Sequence, residues 1–306
     1  MVERWPDLPY DEWQATCDTV HAHTQLLGKL CVALAPPEPQ LQHAALRLTA
    51  RGFETSLLPA PDGSGALAAA VDLRSHEFVL EHGDGPVRRI PLAPDRPVGE
   101  VTRAVLTALD ELVGGVRLDL RPQEVPWTVR LDEDDLHHSY DEERVAAYLS
   151  AASRAALALA TIRAPYRGRS SPVNAWWGTF DLAVSLFSGR PADPPSDDFI
   201  TRNSADAQQV ELGWWPGDTR YPRAAFYGFA VPAADGFAEV SLGPPAARFD
   251  RELGEFLLDW TDVVSADDPL GAAVEFGRSL LAHACAVCDF DPVLATSTQG
   301  EPPPVH

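Results

Sequence analysis

The residues best suited to chemistry begin near the N-terminus. Projected at 100° per residue, His21, Thr24, Gln25, Gly28 and Lys29 fall on one side of a helix, with His23, Leu26, Leu27 and Leu30 opposite. A solvated helix face usually carries Glu, Lys and Arg at i and i+4. This one carries short polar groups, a glycine and the only lysine among 24 basic residues. That pattern suits the lining of a polar cavity, with an ordinary outer face as the competing reading. An amine sheds its proton on desolvation far more readily than a guanidinium, so Lys29 is a catalytic candidate that should resist mild acetylation. His21 is a candidate acid–base or ligand group.

A second set lies in the strand-like passage 172–187. Alternation puts Trp176, Phe180, Leu182, Val184 and Leu186 on a core face, and Trp177, Thr179, Asp181 and Ser185 on the other. A buried Asp181 needs a partner, for which Arg190 and Arg169 are the candidates. The functional reading makes Asp181 a general base or ligand anchor beneath Trp177 and Trp215; a buried ion pair is the alternative. The doublets Trp176-Trp177 and Trp214-Trp215 each offer one indole to the core and one to another face, although packing of all four is also open. His137, just ahead of a helix start, is a further acid–base candidate. His283, Cys285 and Cys288 suggest zinc by type, but they lack a fourth ligand at useful spacing and lie on a helix that wants burial, so the cysteines read better as small buried thiols.

Several chemistries have no motif to carry them. The sequence contains no glycine-rich phosphate loop, no dinucleotide fingerprint, no His-Glu-x-x-His and no Gly-x-Ser-x-Gly elbow. Ser170 and Ser171 bring hydroxyls without a recognisable base. A net charge of −21 opposes nucleic-acid and anionic membrane partners, leaving a small molecule or a protein as partner. Met1 to Trp13 is acidic rather than signal-like, and no stretch approaches about 18 uninterrupted apolar residues. The expected location is therefore cytoplasmic, with the four cysteines reduced.

These groups must be positioned by an α+β fold. The pattern predicts a helix over residues 10–27, a strand over 29–36, and strands over 43–50, 53–58, 66–73, 77–81 and 87–92, joined by glycine turns. A helix follows over Val98–Val113, ended by Gly114-Gly115, then a strand over 116–120. Residues 121–135, rich in proline and acid, read as a linker. Ser139 and Glu142 have capping-box spacing ahead of a helix to residue 162. Strands are expected over 208–215, 224–231 and 255–260, a helix over 269–288, an exposed loop over 191–198 and a tail after residue 295. The chain thus divides into an N-terminal lobe (1–125), a C-terminal lobe (126–295) and a tail (296–306). Each lobe has antiparallel strands flanked by helices, an outline that suggests duplication without a residue-level repeat.

The passage from Gly168 to Arg190, with Ser170-Ser171-Pro172-Val173 and Trp177-Gly178-Thr179-Phe180-Asp181-Leu182-Ala183-Val184, resembles the signature of an uncharacterised bacterial family known as a domain of unknown function. Thr19, His21, Thr24, Gln25, Gly28, Lys29, Ala50-Arg51-Gly52, His137, Ser139-Tyr140-Asp141, Gly213, Trp215-Pro216-Gly217 and Phe226-Tyr227 are similar to it as well. The resemblance implies no activity, cofactor or substrate. Such relatives carry histidine in place of Asn174 and His-Glu in place of Ala207-Gln208, which implies an altered site here. The matched residues are mostly polar and aromatic. They suggest a small-molecule pocket, catalytic or ligand-sensing, that brings together His21, Gln25, Lys29, Asn174, Trp177, Asp181 and Tyr227, with Ser171, Arg190 and Trp215 as further ligand contacts. A structural or protein-interaction module with a buried polar network is the alternative, and a metal or haem protein using His21 or His137 a third.

Overall fold

The first helix runs on through the segment whose pattern suggested a strand. In the computed structural model, which describes residues 5–295, α1 spans Tyr10–Leu34. Residues 29–34 contain one β-branched side chain, Val32, among good helix formers, and the helix ends only at Pro36-Pro37. Every residue from Thr19 to Cys31 is buried. The polar stripe of this helix therefore faces protein and needs internal partners.

Two antiparallel sheets follow. The first comprises β1 (Arg47–Thr49), β2 (Gly52–Glu54), β3 (Leu58–Pro59), β4 (Ala66–Asp72), β5 (Glu77–His82) and β6 (Val87–Pro91), in the order β1-β2-β4-β5-β6 with β3 paired to β4. α2 (Val98–Val113) packs on β5 and β6 and ends at Gly114, whose φ of 74° is the left-handed conformation that glycine adopts freely. Residues 116–120 form no strand; they enter an irregular segment that includes a short 3₁₀ turn, Leu131–Glu133.

α3 (Glu142–Arg163) is capped by Asp141, not Ser139: the Asp141 carboxylate accepts from the backbone N–H groups of Glu143 and Arg144. Aspartate one residue before the helix out-competes a serine three residues away, because a cap must reach the N2 or N3 donors. Among the described residues α3 alone has the length and hydropathy to cross a membrane, and half of that stretch is buried against the protein.

The second sheet has the order β11-β12-β10-β9-β8-β7, formed by β7 (Asn174–Trp176), β8 (Asp181–Pro191), β9 (Ala207–Trp215), β10 (Ala225–Val231), β11 (Arg248–Asp250) and β12 (Glu255–Asp259). The expected continuous strand over 172–187 is instead a hairpin. Trp177 to Phe180 turn between β7 and β8, and Phe180 adopts φ 59° with its N–H donating to Trp176 O. α4 (Phe199–Ser204) joins β8 to β9; α5 (Trp260–Ser265) and α6 (Pro269–Val287) complete the chain. Paired backbone hydrogen bonds between Leu46 and Ala175, both 2.9 Å, link the two sheets.

α1, α3 and α6 cover one side of this layer, with one continuous core of buried residues from Trp5 to Phe290. The two halves share a helix–sheet–helix outline, but their strand orders differ. The opposite face of the second sheet carries a separate apolar cluster of Ala183, Tyr227 and Leu257, flanked by Trp176, Trp215, Tyr221, Phe229 and Leu253. The expected tail, 296–306, lies outside the described residues.

Candidate functional site

Strand alternation on the second sheet builds a polar and aromatic face. β9 directs Gln209, Glu211, Gly213 and Trp215 to one side, opposite Val231, Phe229, Tyr227 and Ala225 of β10. Ser185 of β8 pairs with Glu211, and Asp181 pairs with Trp176 across the hairpin. Gly213 is required here, since a Cβ at that position would stand 2.2 Å from the Tyr227 ring. Residues of the 3₁₀ segment Pro39–Ala44, the 121–135 segment and α4 stand beside this face and border a half-open cavity of about 560 Å³.

The turn between β7 and β8 inverts the expected faces of its two tryptophans. Trp176, cross-strand from Asp181, belongs to the cavity side, whereas Trp177 turns back into the main core and contributes to the cavity wall. The Trp177 indole N–H donates to Ala44 O at 3.0 Å, and its ring lies on Gly28, where a Cβ would come within 2.1 Å. Lys29 Nζ stands 5.2 Å from the ring centroid.

Asp181 is held by donors from Thr179 and Tyr227, and neither arginine proposed for it is present. Arg190 is exposed and pairs with Asp289; Arg169 donates to Gln40 and stacks on Phe187. With no cation beside it, burial pushes the Asp181 carboxyl upward, opposed by the two hydroxyl donors. Burial likewise raises Glu211 and Glu255 to about 7, with further contributions from Asp181. Ser185 Oγ donates to Glu211 at 2.7 Å. Glu124 is exposed as a residue, but its carboxyl turns in against Gly178, where a Cβ would meet Oε2 at 1.9 Å. Desolvation and Asp181 raise it to about 7. Tyr227 is held well above its ordinary value by burial and the neighbouring acids.

His21 and Gln25 stand behind the cavity wall and fasten it. His21 Nε2–H donates to the carbonyls of Trp177 at 2.9 Å and Gly178 at 3.2 Å. Burial lowers His21 to about 4, so the ring is neutral near pH 7, and it stacks on Phe180 at 4.8 Å. Gln25 donates to Trp177 O and Gln123 O and accepts from Gln123 N–H. The helix therefore ties together the turn that carries Trp177 and the segment that carries Glu124.

The remaining sequence candidates lie apart from the cavity. Asn174 is buried between Gln42 and Arg47. Ser171 accepts from Ser185 N–H and donates to Pro172 O. His137 bonds Asp134 at 2.6 Å and packs on Trp127, whose ring also meets His21. Lys29, buried behind Trp177, has its pKa lowered by burial. Thus Trp177, Asp181, Trp215 and Tyr227 line the cavity, His21, Gln25 and Lys29 back it, and Ser171, Asn174, His137 and Arg190 do neither.

The sequence reading missed Trp176, Gln209, Glu211, Glu255 and Glu124. The i, i+2 spacing of Gln209, Glu211, Gly213 and Trp215 was a usable signal. Nothing local announced Glu124. Among the described residues no three His, Cys, Asp or Glu side chains group as metal ligands. Cys285 and Cys288 are buried thiols, and His283 bonds Phe237 O at 2.9 Å.

The model of a family of unknown function (DUF5996) matches residues 5–296, so the chain belongs to that family. No curated protein and no solved structure matches it.

Proposed function

We propose, for this member of a family of unknown function, that the cavity on the open face of the second sheet is a binding site for a small organic molecule. The observation that carries the reading is a roomy aromatic cavity into which uncompensated, largely desolvated carboxyls project. Its volume, about 560 Å³, falls in the range of ligand sites. Core packing does not call for Asp181, Glu211 and Glu255 on one apolar face, because each costs desolvation and only Glu255, near Arg220, has a cation in partial return.

The backbone supports the same reading. Gln40, Leu41 and Glu124 line the cavity in left-handed conformations, at φ 51°, 53° and 59°, and Phe180 does the same in the adjoining turn. Non-glycine residues in that region cost of order 1–3 kcal/mol each and cluster where geometry serves a ligand. Carboxyls that titrate near neutrality also supply proton-transfer capacity, so the reading covers both ligand sensing and acid–base turnover. The His21–Gln25 network, fully engaged with backbone groups, belongs to the structural alternative and acts here by holding the wall.

The test is thermal unfolding against a library of small amines, alcohols and acids, in the wild type and in Ser204→Trp, which places an indole among the lining residues. A ligand at about 100 times its Kd stabilises by about 2.7 kcal/mol. The reading expects compounds that stabilise the wild type and not the variant. A library that shifts neither, or both equally, contradicts it.

A further inference from the structure

We infer that the ligand is a protonated amine carried on a flat apolar body. The inference rests on the small-molecule reading above and specifies its ligand chemistry.

The charge around the cavity is one-sided. Carboxyls enter from Glu124, Asp181, Glu211 and Glu255, with Asp218 beside them, and the only guanidinium among the lining residues, Arg220, is already paired with Asp218 at 2.9 Å. Arg223 and Arg248, near Tyr221, are both taken by Asp259. Arg220 partly offsets Glu255, but no cation stands against Glu124, Asp181 or Glu211, and a cationic ligand supplies the missing counter-charge.

Hydrogen bonding is unbalanced in the same direction. Three hydroxyls beside the acids have given their protons to carboxyls: Tyr227 and Thr179 to Asp181, and Ser185 to Glu211. Gln209, only 5% exposed, donates its amide to Ser204 O at 3.1 Å, while its Oε1 has no partner. An unpartnered acceptor in the wall calls for a donor. An ammonium is all donor and no acceptor, which suits this wall, whereas a carboxylate or phosphate ligand would face the acids Asp181, Glu211 and Glu255.

The rings complete the match. Trp215 stands edge-on to Tyr227 at 5.3 Å and 5.6 Å from Tyr221, with Trp176 and Phe229 on the same face. Aromatic faces attract cations and stack on flat bodies. The acids are spread along three strands and a loop, and no three of them group as metal ligands. The charge is therefore distributed over an extended surface, as an amine with an apolar body requires, and not focused on a point ion.

The experiment is calorimetric titration of the full chain with tryptamine, tryptophol and indole-3-propionate, which share an indole and differ in charge. Tryptamine should bind about ten-fold tighter than tryptophol, and indole-3-propionate weakest. Glu211→Gln and Glu255→Gln should each shrink the tryptamine advantage several-fold while tryptophol affinity stays within about two-fold. Equal binding of all three that Ser204→Trp abolishes overturns the amine inference and leaves the cavity reading standing. Preference for the acid also overturns it. Binding of none overturns it too, and the cavity reading is then decided by the library screen on its own.

Discussion

Glu211 offers a quantitative handle on the cavity. In the unfolded chain its carboxyl ionises near the ordinary 4.5, while in the fold burial holds it to about 7. Between those values the folded state carries the extra proton, so its stability falls as pH rises through the window. At about 1.4 kcal/mol per pH unit of displacement the full effect is about 3 kcal/mol, most of which develops between about pH 5 and pH 8.5. Glu211→Gln removes the ionisation and keeps an oxygen to accept from Ser185. The variant should therefore match the wild type near pH 5 and exceed it by about 2–3 kcal/mol near pH 8.5, or about 5 °C in Tm. Urea melts at the two pH values read this directly. Parallel pH profiles for the two proteins would refute the claim that Glu211 is desolvated without a cation.

Other consequences concern the cavity's supports. Gly28→Ala gains about 1 kcal/mol of helix propensity but drives a Cβ into the Trp177 ring. A net loss of stability is expected, as overpacking costs about 1–3 kcal/mol, with a shifted tryptophan emission; a more stable variant would refute the contact. Asp141→Ala should cost about 0.5–2 kcal/mol in chemical denaturation, whereas Ser139→Ala should be near neutral, and the reverse order would restore Ser139 as the cap. Lys29, buried behind Trp177, should acetylate only after unfolding, as read by peptide mass spectrometry; fast native modification would place its amine in solvent.

The sequence revealed what local pattern controls. Val98–Val113 was legible to the residue because an apolar stripe and a terminal Gly-Gly act within the helix itself. β9, β10 and β12 were legible as strands, Asp181 and Trp215 stood out as an acid and an indole doublet in strand-like passages, and Tyr227 entered only through the family resemblance. Long-range packing hid the rest. Residues 29–34 stay helical because Lys29, Leu30 and Cys31 are held in the core and the helix formers after them carry the last turn to Leu34, and 172–187 folds back because Trp177 is pinned by Ala44 and by Gly28, far away in sequence. The partner of Asp181 turned out to be Tyr227, 46 positions on, and not a nearby arginine. His21 and Gln25 were read as cavity lining because a helical projection gives a direction but not what lies there. What lies there is the backbone of Trp177, Gly178 and Gln123. Glu124 reaches the cavity from a proline-rich stretch with no periodicity to interpret.

The central claim is that the cavity holds a small molecule, and native mass spectrometry of freshly purified protein, set against its denatured mass, tests it most directly. The account predicts added mass on the native wild type that is lost from Ser204→Trp. A bare native mass, or an adduct kept equally by the variant, would contradict it.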